Sequence, residues 1–365
     1  MQRRTFLQAA AGIAFATKLA VAVQASRWET AAEVLNQASD SKQIESSVLY
    51  VRQGDEEFSR AFGQAKTANA MFLLGSISKP ISVAAVMTLY DRGEFKLADP
   101  IKKFLPAFKG DGRDAATIQH LLTHTSGLPD QVANNAELRK KHATLGKFAE
   151  ETLRTPLEFA AGSKYQYSSM GILLATRIAE VISQTDIISL VERSIIRPLG
   201  MQHSAQGIGK FAITDLVPCQ MEGAAPESGG GDPSAKAWNW NSPYWRKLGA
   251  PWGGTHCSAA DVGRFLAEFL NERGAAIKPA TARMMIQNHN PAGFTARGLG
   301  FHVGKEAGSP GCSEKVFGHT GSTGTLAWAD PGTKTICVVL TSLPRRGALK
   351  HPREAAAEKV AAAKT

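Results

Sequence analysis

Two stretches of the 365-residue sequence put a serine three residues ahead of a lysine: Ser39-Asp40-Ser41-Lys42 and Ser76-Ile77-Ser78-Lys79. A serine hydroxyl is a poor nucleophile until a neighbour takes its proton. On a helix, positions i and i+3 share a face, so either lysine could reach its serine. The second copy opens an apolar run in which Ile77, Ile81, Ala84, Ala85 and Leu89 recur at helical spacing, with Gly93 suited to the C-terminal cap. This predicts a helix over 76–91. Its N-terminus would set backbone N–H groups and a partial positive charge beside Ser76, both favourable to an oxyanion. Gly75 allows a tight entry. The first copy lies at a helix exit in a polar stretch with no apolar run behind it. Ser76 and Lys79 are therefore the expected acyl-transfer pair.

The surrounding segments add order to the pair. Leu74-Gly75-Ser76-Ile77-Ser78-Lys79-Pro80 is followed by Gly93-Glu94-Phe95-Lys96-Leu97-Ala98-Asp99-Pro100. Ile118 to Leu128, Tyr165-Gln166-Tyr167-Ser168-Ser169-Met170-Gly171, Pro198-Leu199-Gly200-Met201, Gly253-Gly254 through Asp261, and Gly318-His319-Thr320-Gly321-Ser322-Thr323-Gly324 come next. In this order, from about Ser47 to Thr341, the chain resembles the serine β-lactamase-like family, which includes class C β-lactamases, DD-peptidases and family VIII esterases. The resemblance implies that Ser76 is acylated and that Lys79 and Tyr167 share its proton. It implies that the Ser322 N–H joins that of Ser76 in an oxyanion hole, and that His319-Thr320-Gly321 stands where the family has Lys-Thr-Gly. Which of Lys79 and Tyr167 is the base stays open. Alone, Tyr167 reads as an ordinary helix-entry aromatic; its place in the series gives it a role.

Two positions depart from the family pattern. Ser169 stands where Tyr-x-Asn has asparagine, and its arm is shorter. His319 replaces a lysine, so a fixed positive charge for a substrate carboxylate is weakened. Both tilt the expected chemistry toward simple esters. The rivals are a D-amino-acid peptidase or β-lactamase, and a non-catalytic binding protein that keeps the fold.

Strands are expected at Ser47–Val51 and Glu57–Phe62 around Gly54-Asp55, and again at Gly298–Val303, Val316–His319, Thr325–Ala329 and Thr335–Thr341. Helices are expected at Trp28–Gln37, Gly171–Ser183, from Asp186 to just before Pro198, Asp261–Asn271 and Pro352–Ala363. Strands at both ends with helices between imply an α+β (α/β sandwich) fold. One central antiparallel sheet would come from both chain ends (about 26–75 and 290–365), flanked by helices, with a mainly helical inserted region (about 90–289). The long stretch Gly207–Gly254 carries Trp238, Trp240, Tyr244, Trp245 and Trp252, which could line an acyl pocket or pack the loop. His124 reads as part of a hydrogen-bonded turn. Asp261 is expected to cap or anchor its helix.

With 43% hydrophobic residues the chain can bury a sizeable core, and its formal charge is 42 − 32 = +10. The cations are scattered, which reads as a solvated surface and excludes a nucleic-acid footprint. Arg3-Arg4-Thr5-Phe6-Leu7 and the small apolar run Ala9–Val23 read as a twin-arginine-like signal peptide over 1–25. The run is short for a bilayer span of ~20 residues and contains Lys18, against the alternative of an anchor. A periplasmic or secreted protein with no stable membrane span after cleavage is the expectation. Cys219, Cys257, Cys312 and Cys337 have no C-x-x-C spacing, and the histidines have no ligand spacing. No metal or organic cofactor is expected. The oligomeric state is not readable from these patterns.

Overall fold

The computed structural model describes residues 27–363; the expected signal peptide lies outside the described residues. Among the described residues nine strands form two sheets. β1 (Ser46–Gln53), β2 (Glu56–Gly63), β6 (His302–Val303), β7 (Phe317–Gly321), β8 (Thr325–Asp330) and β9 (Thr335–Thr341) make an antiparallel sheet in the order β2-β1-β9-β8-β7-β6. β3 (Phe72–Leu73), β4 (Ser204–Gln206) and β5 (Thr255–Cys257) make a small second sheet in the order β3-β5-β4. The helices are α1 (Glu29–Asp40), α2 (Ser78–Asp91), α3 (Ile118–Leu122), α4 (Asn135–Lys140), α5 (Leu145–Arg154), α6 (Ser169–Ser183), α7 (Ile187–Val191), α8 (Pro243–Leu248), α9 (Ala259–Leu270), α10 (Pro279–Met285) and α11 (Pro352–Ala362).

The large sheet joins the two ends of the chain because β1 pairs with β9, Val48 opposite Leu340 and Tyr50 opposite Val338. Side chains alternate across a strand, and here the alternation separates two cores. Val48, Tyr50, Ile336, Val338 and Leu340 face the core that holds α2 and α9. Leu49, Val51, Cys337 and Val339 face the core formed with α1 and α11. With both faces covered, β8 and β9 are buried along their whole length, which is why they read as apolar runs.

Three expectations need correction. The stretch Gly298–Phe301 is a turn, not strand: Gly298 N–H donates to Phe301 O, and only His302–Val303 pairs. Gly300 has φ +82° and sits where a Cβ would lie 2.8 Å from Val83 of α2, so the turn is pressed on the helix. The stretch counted as helical also contributes β4 and β5, and β3 pairs with β5 and not with the large sheet. Finally, the expected 76–91 helix begins with a 3-10 turn at Gly75–Ile77 before α2 proper.

α2 is buried on all sides from Ser78 to Leu89, as a helix apolar all round must be. It runs through the middle of the larger core and delivers its first turn to the seam between the two sheets. Asp261 anchors as expected. Its carboxylate accepts from the His203 N–H (2.7 Å) and Ser204 Oγ (2.9 Å), tying α9 to β4, while Ser258 supplies the helix cap. The four cysteines are free, and three of them are buried. Among the described residues no helix is long and apolar enough to cross a membrane.

Candidate active site

Gly75 has φ +55°, a left-handed conformation that glycine adopts without strain. A Cβ there would lie 2.9 Å from Thr323 Oγ1 and 3.2 Å from the Ser322 N. The chain can therefore enter α2 directly against the turn between β7 and β8. Thr323 Oγ1 donates to Leu73 O (2.7 Å) and Thr325 Oγ1 to Leu74 O (2.6 Å), which stitches that turn to the approach to Ser76. The N–H groups of Ser76 and Ser322 have no acceptor among the described residues. Two unspent backbone donors on either side of one serine form the donor pair an oxyanion needs.

Lys79 is fully buried. Its Nζ lies 3.0 Å from Ser76 Oγ and donates to the Trp252 carbonyl at 2.9 Å. Burial strips the ammonium of water and pushes its pKa down to about 7; nearby Asp130 opposes this and the Arg297 cation reinforces it. No carboxylate is ion-paired to it among the described residues. Lys79 is thus neutral for much of the time near pH 7, with a lone pair that the Ser76 proton can reach.

Tyr167 comes from the loop that enters α6. Ser168 caps that helix, its Oγ accepting from the Gly171 N–H (2.9 Å) and donating to Pro129 O (2.8 Å). The Tyr167 ring stands 4.7 Å from Lys79 Nζ. Burial raises its pKa above the ordinary phenol value, opposed by its hydrogen bond with Ser76. Tyr167 keeps its proton across the range where Lys79 loses its own. Ser169 offers the site its backbone: its N–H donates to Asp130 Oδ1 at 2.8 Å, and its hydroxyl makes no hydrogen bond among the described residues.

Behind Tyr167 lies a group of nitrogens. His124, buried and at φ +61°, packs with its ring 4.6 Å from the Tyr167 ring and tilted to it, and its Nδ1 accepts from the Ser168 N–H (3.1 Å). The turn expected there exists, and the histidine holds the Tyr167 loop. His319 of β7 is buried, its ring 6.1 Å from that of Tyr167, with Nδ1 donating to Thr320 O at 2.8 Å. Burial, then Arg297 and Lys79, hold His319 well below the ordinary imidazole range, so the ring is neutral. Thr320 itself is exposed and Gly321 buried. Arg297 lies 5.4 Å from the Tyr167 ring and donates from Nη2 to Tyr165 Oη at 2.7 Å. His124 Nε2, His319 Nε2 and Arg297 Nη1 are all buried without a partner.

The structure therefore brings Ser76, Lys79, Tyr167, His319 and the Ser322 N–H together. Asp130, Arg297 and the Trp252 carbonyl were not singled out from sequence for the site. Asp130 follows Leu128-Pro129 directly after a noted landmark, but Arg297 stands in no motif, and a carbonyl carries no sequence signal. Trp240, Trp245 and Trp252 pack with Phe148, Met170 and Leu173 in a third core, so the aromatic cluster is packing for its loop. Ser39 lies in α1 and Lys42 in the turn after it; the Lys42 N–H donates to Ser39 O at 3.0 Å, but the Ser39 hydroxyl is buried without a partner, so the lysine amine does not reach it. No group of three or more metal-ligating side chains occurs among the described residues.

The family model described as Beta-lactamase matches residues 31–362. A Salmonella enteritidis protein named "Putative D-alanyl-D-alanine carboxypeptidase" is 28% identical over 309 residues, covering 76% of this chain and 70% of the relative. Among solved structures, "EstCE1, a hydrolase with promiscuous acyltransferase activity" superposes with a TM-score of 0.76 at 21% identity, covering 94% of this chain and 100% of the other. The D-amino acid amidase of Ochrobactrum anthropi SV3 superposes with a TM-score of 0.77 at 21% identity, covering 93% and 99%. At these identities the structural likeness speaks for the fold.

Proposed function

This chain belongs to the beta-lactamase family of serine hydrolases, and from that premise we propose that it hydrolyses esters through an acyl-enzyme on Ser76. The observation that carries the proposal is Lys79 Nζ at 3.0 Å from Ser76 Oγ, buried and free of any carboxylate partner among the described residues. Lys79 takes the Ser76 proton as Oγ attacks the ester carbonyl. The N–H groups of Ser76 and Ser322 receive the oxyanion. Protonated Tyr167 hands a proton to the departing alkoxide and is replenished from Lys79. Water then repeats the sequence in reverse to release the acid.

Ester preference rests on His319. Neutral and hydrogen-bonded to its own strand, it offers no fixed charge to a substrate carboxylate. A second reading has one observation in its favour: Arg297 brings a permanent cation with an unpartnered Nη1 close behind Tyr167. That charge suits an acyl donor bearing a carboxylate, such as a D-amino-acid peptide. Steady-state turnover of p-nitrophenyl butyrate against a D-alanyl-D-alanine peptide decides between them. The ester reading expects kcat/KM to favour the ester at least about a hundredfold; a preference for the peptide overturns it. Loss of ester turnover in Ser76→Ala is expected, and equal activity in wild type and variant contradicts the Ser76 assignment.

Export belongs to the same proposal. The paired arginines and short apolar run at the N-terminus support it. Fractionation of cells expressing the full chain is expected to find a shortened protein outside the cytoplasm, and retention at full length in the cytoplasm contradicts it.

A further inference from the structure

The turn that presents the Ser322 N–H is held from behind by the last part of the chain. Arg353, on the first turn of α11, is 2% exposed. Its Nη1 donates to Gly321 O (2.6 Å) and to Thr325 O (2.8 Å), spanning the two ends of the turn. The Arg345 N–H donates to Ser322 O at 2.9 Å. Thr341 Oγ1 donates to Gly324 O at 2.8 Å. Gly324, at φ +99°, packs so tightly that a Cβ would fall 1.8 Å from Leu343 O. The carbonyls of Gly321, Ser322, Gly324 and Thr325 are thus all engaged by residues 341–353, while the Ser322 N–H on the opposite side of its peptide group is left free.

Burying a guanidinium is costly unless its donors are used. Arg353 uses its Nη1 on two carbonyls, one of them within one residue of Ser322, while its Nε is buried without a partner. Its backbone N–H is in turn received by the capping His351 ring, whose Nε2 lies 3.0 Å from Leu343 O. The segment closes on itself around the turn.

We infer that Arg353 and the Arg345 N–H are positioning groups for the Ser322 N–H, so that the C-terminal segment sets the geometry of the oxyanion site. The inference rests on the Ser76 acyl-enzyme proposal. It places the effect on the transition state, because the Ser322 N–H meets a developing oxyanion and contributes little to binding the neutral ester.

The test compares wild type with Arg353→Met, Arg353→Lys and Arg345→Pro. Proline at position 345 removes that N–H, together with the Arg345 side chain and its ion pair to Glu354, at the first position of a short helical turn where proline is tolerated. Ester kcat and KM are measured beside inhibition by phenylboronic acid, whose tetrahedral serine adduct mimics the oxyanion. The expected result is a kcat lower by about tenfold to a hundredfold, with KM within about twofold. The boronate inhibition constant is expected to rise by the same factor in each variant. Folded variants with unchanged kcat, or with lowered kcat and unchanged boronate affinity, overturn the inference. If Arg353→Met fails to fold, Arg345→Pro and Arg353→Lys carry the same two outcomes. A wild type whose ester hydrolysis survives Ser76→Ala overturns the underlying proposal as well. A Ser76-dependent wild type with unaffected variants overturns this inference alone.

Discussion

On one side of the Ser76 hydroxyl, β3 and the β7–β8 turn are joined by hydrogen bonds from Thr323 and Thr325 to Leu73 and Leu74, and the turn's carbonyls are engaged from behind. On the other side stand Tyr167, His124, His319 and Arg297, where three nitrogens are buried without a partner. The first wall is fixed by geometry and leaves the Ser76 and Ser322 N–H groups without an acceptor among the described residues. The second wall is electrostatic: burial, reinforced by the Arg297 cation, favours a neutral Lys79. Catalysis by a serine needs both, a place for the oxyanion and a base that has lost its proton. In this molecule the two tasks fall to different parts of the chain.

The division can be broken at the residue both walls share. Lys79→Met keeps the apolar stem and removes the base. Ester kcat/KM is expected to fall about a thousandfold or more, as losses of a proton acceptor do; a loss under tenfold in steady-state assays contradicts the assignment of the base. Damage confined to the geometric wall comes next. Gly75→Ala forces a Cβ against Thr323 Oγ1 and the Ser322 N and adds about 1–2 kcal/mol of backbone strain. It is expected to lower kcat by about tenfold to a hundredfold and to lower the thermal midpoint. The pH dependence of kcat/KM is expected to keep its wild-type shape.

Damage confined to the electrostatic wall should do the reverse. Lys79 must be unprotonated to act, so wild-type kcat/KM is expected to rise with pH through about 7 and then level off. Arg297 holds the Lys79 pKa down and Asp130 holds it up; Tyr167, His124, His319 and the Trp252 carbonyl complete its surroundings. Arg297→Met is expected to move the acid limb to higher pH and Asp130→Asn to lower pH. Limbs that stay in place, or move the other way, in the pH profiles of the two variants contradict the charge account. The smallest expected effect belongs to the other Ser-x-x-Lys. Ser39→Ala, in α1, is expected to leave turnover within about twofold.

Most of the frame was legible in the sequence because its signals are local. β9 lies at Thr335–Thr341 as expected, and the β1–β2 hairpin differs from expectation by one or two residues at each end. Apolar runs bounded by glycine, proline and aspartate carry that information. β3, β4 and β5 were missed because two or three residues cannot display a period, and their pairing is decided by Leu74, Gly207 and Thr255 coming together over long distances in sequence. The Gly298–Phe301 turn was mistaken for strand because its glycines serve close approach to Val83 and Met285, which no pattern within the segment announces.

The candidate site divides in the same way. Ser76 and Lys79 could be paired from their spacing together with the apolar helical run behind them. Arg297 and Asp130, which adjust the state that burial gives Lys79, stand in no repeating pattern and act through proximity in the fold. His319 and Ser169 were noted as departures, and the structure gives each a specific meaning. His319 is neutral through burial, with Arg297 and Lys79 beside it, and Ser169 contributes its backbone N–H to Asp130. What a residue does in this site depends more on its unpartnered neighbours than on its own type.

The central claim is that Ser76 is the nucleophile and a neutral Lys79 its base. The most direct test is to treat the purified chain with a fluorophosphonate across pH 5 to 9 and to follow the adduct by intact mass and peptide mapping. The account predicts one adduct per chain, on Ser76, with a labelling rate that rises through pH of about 7 and is lost in Lys79→Met. An adduct on another residue, or Ser76 labelling that is independent of pH and of Lys79, would contradict it.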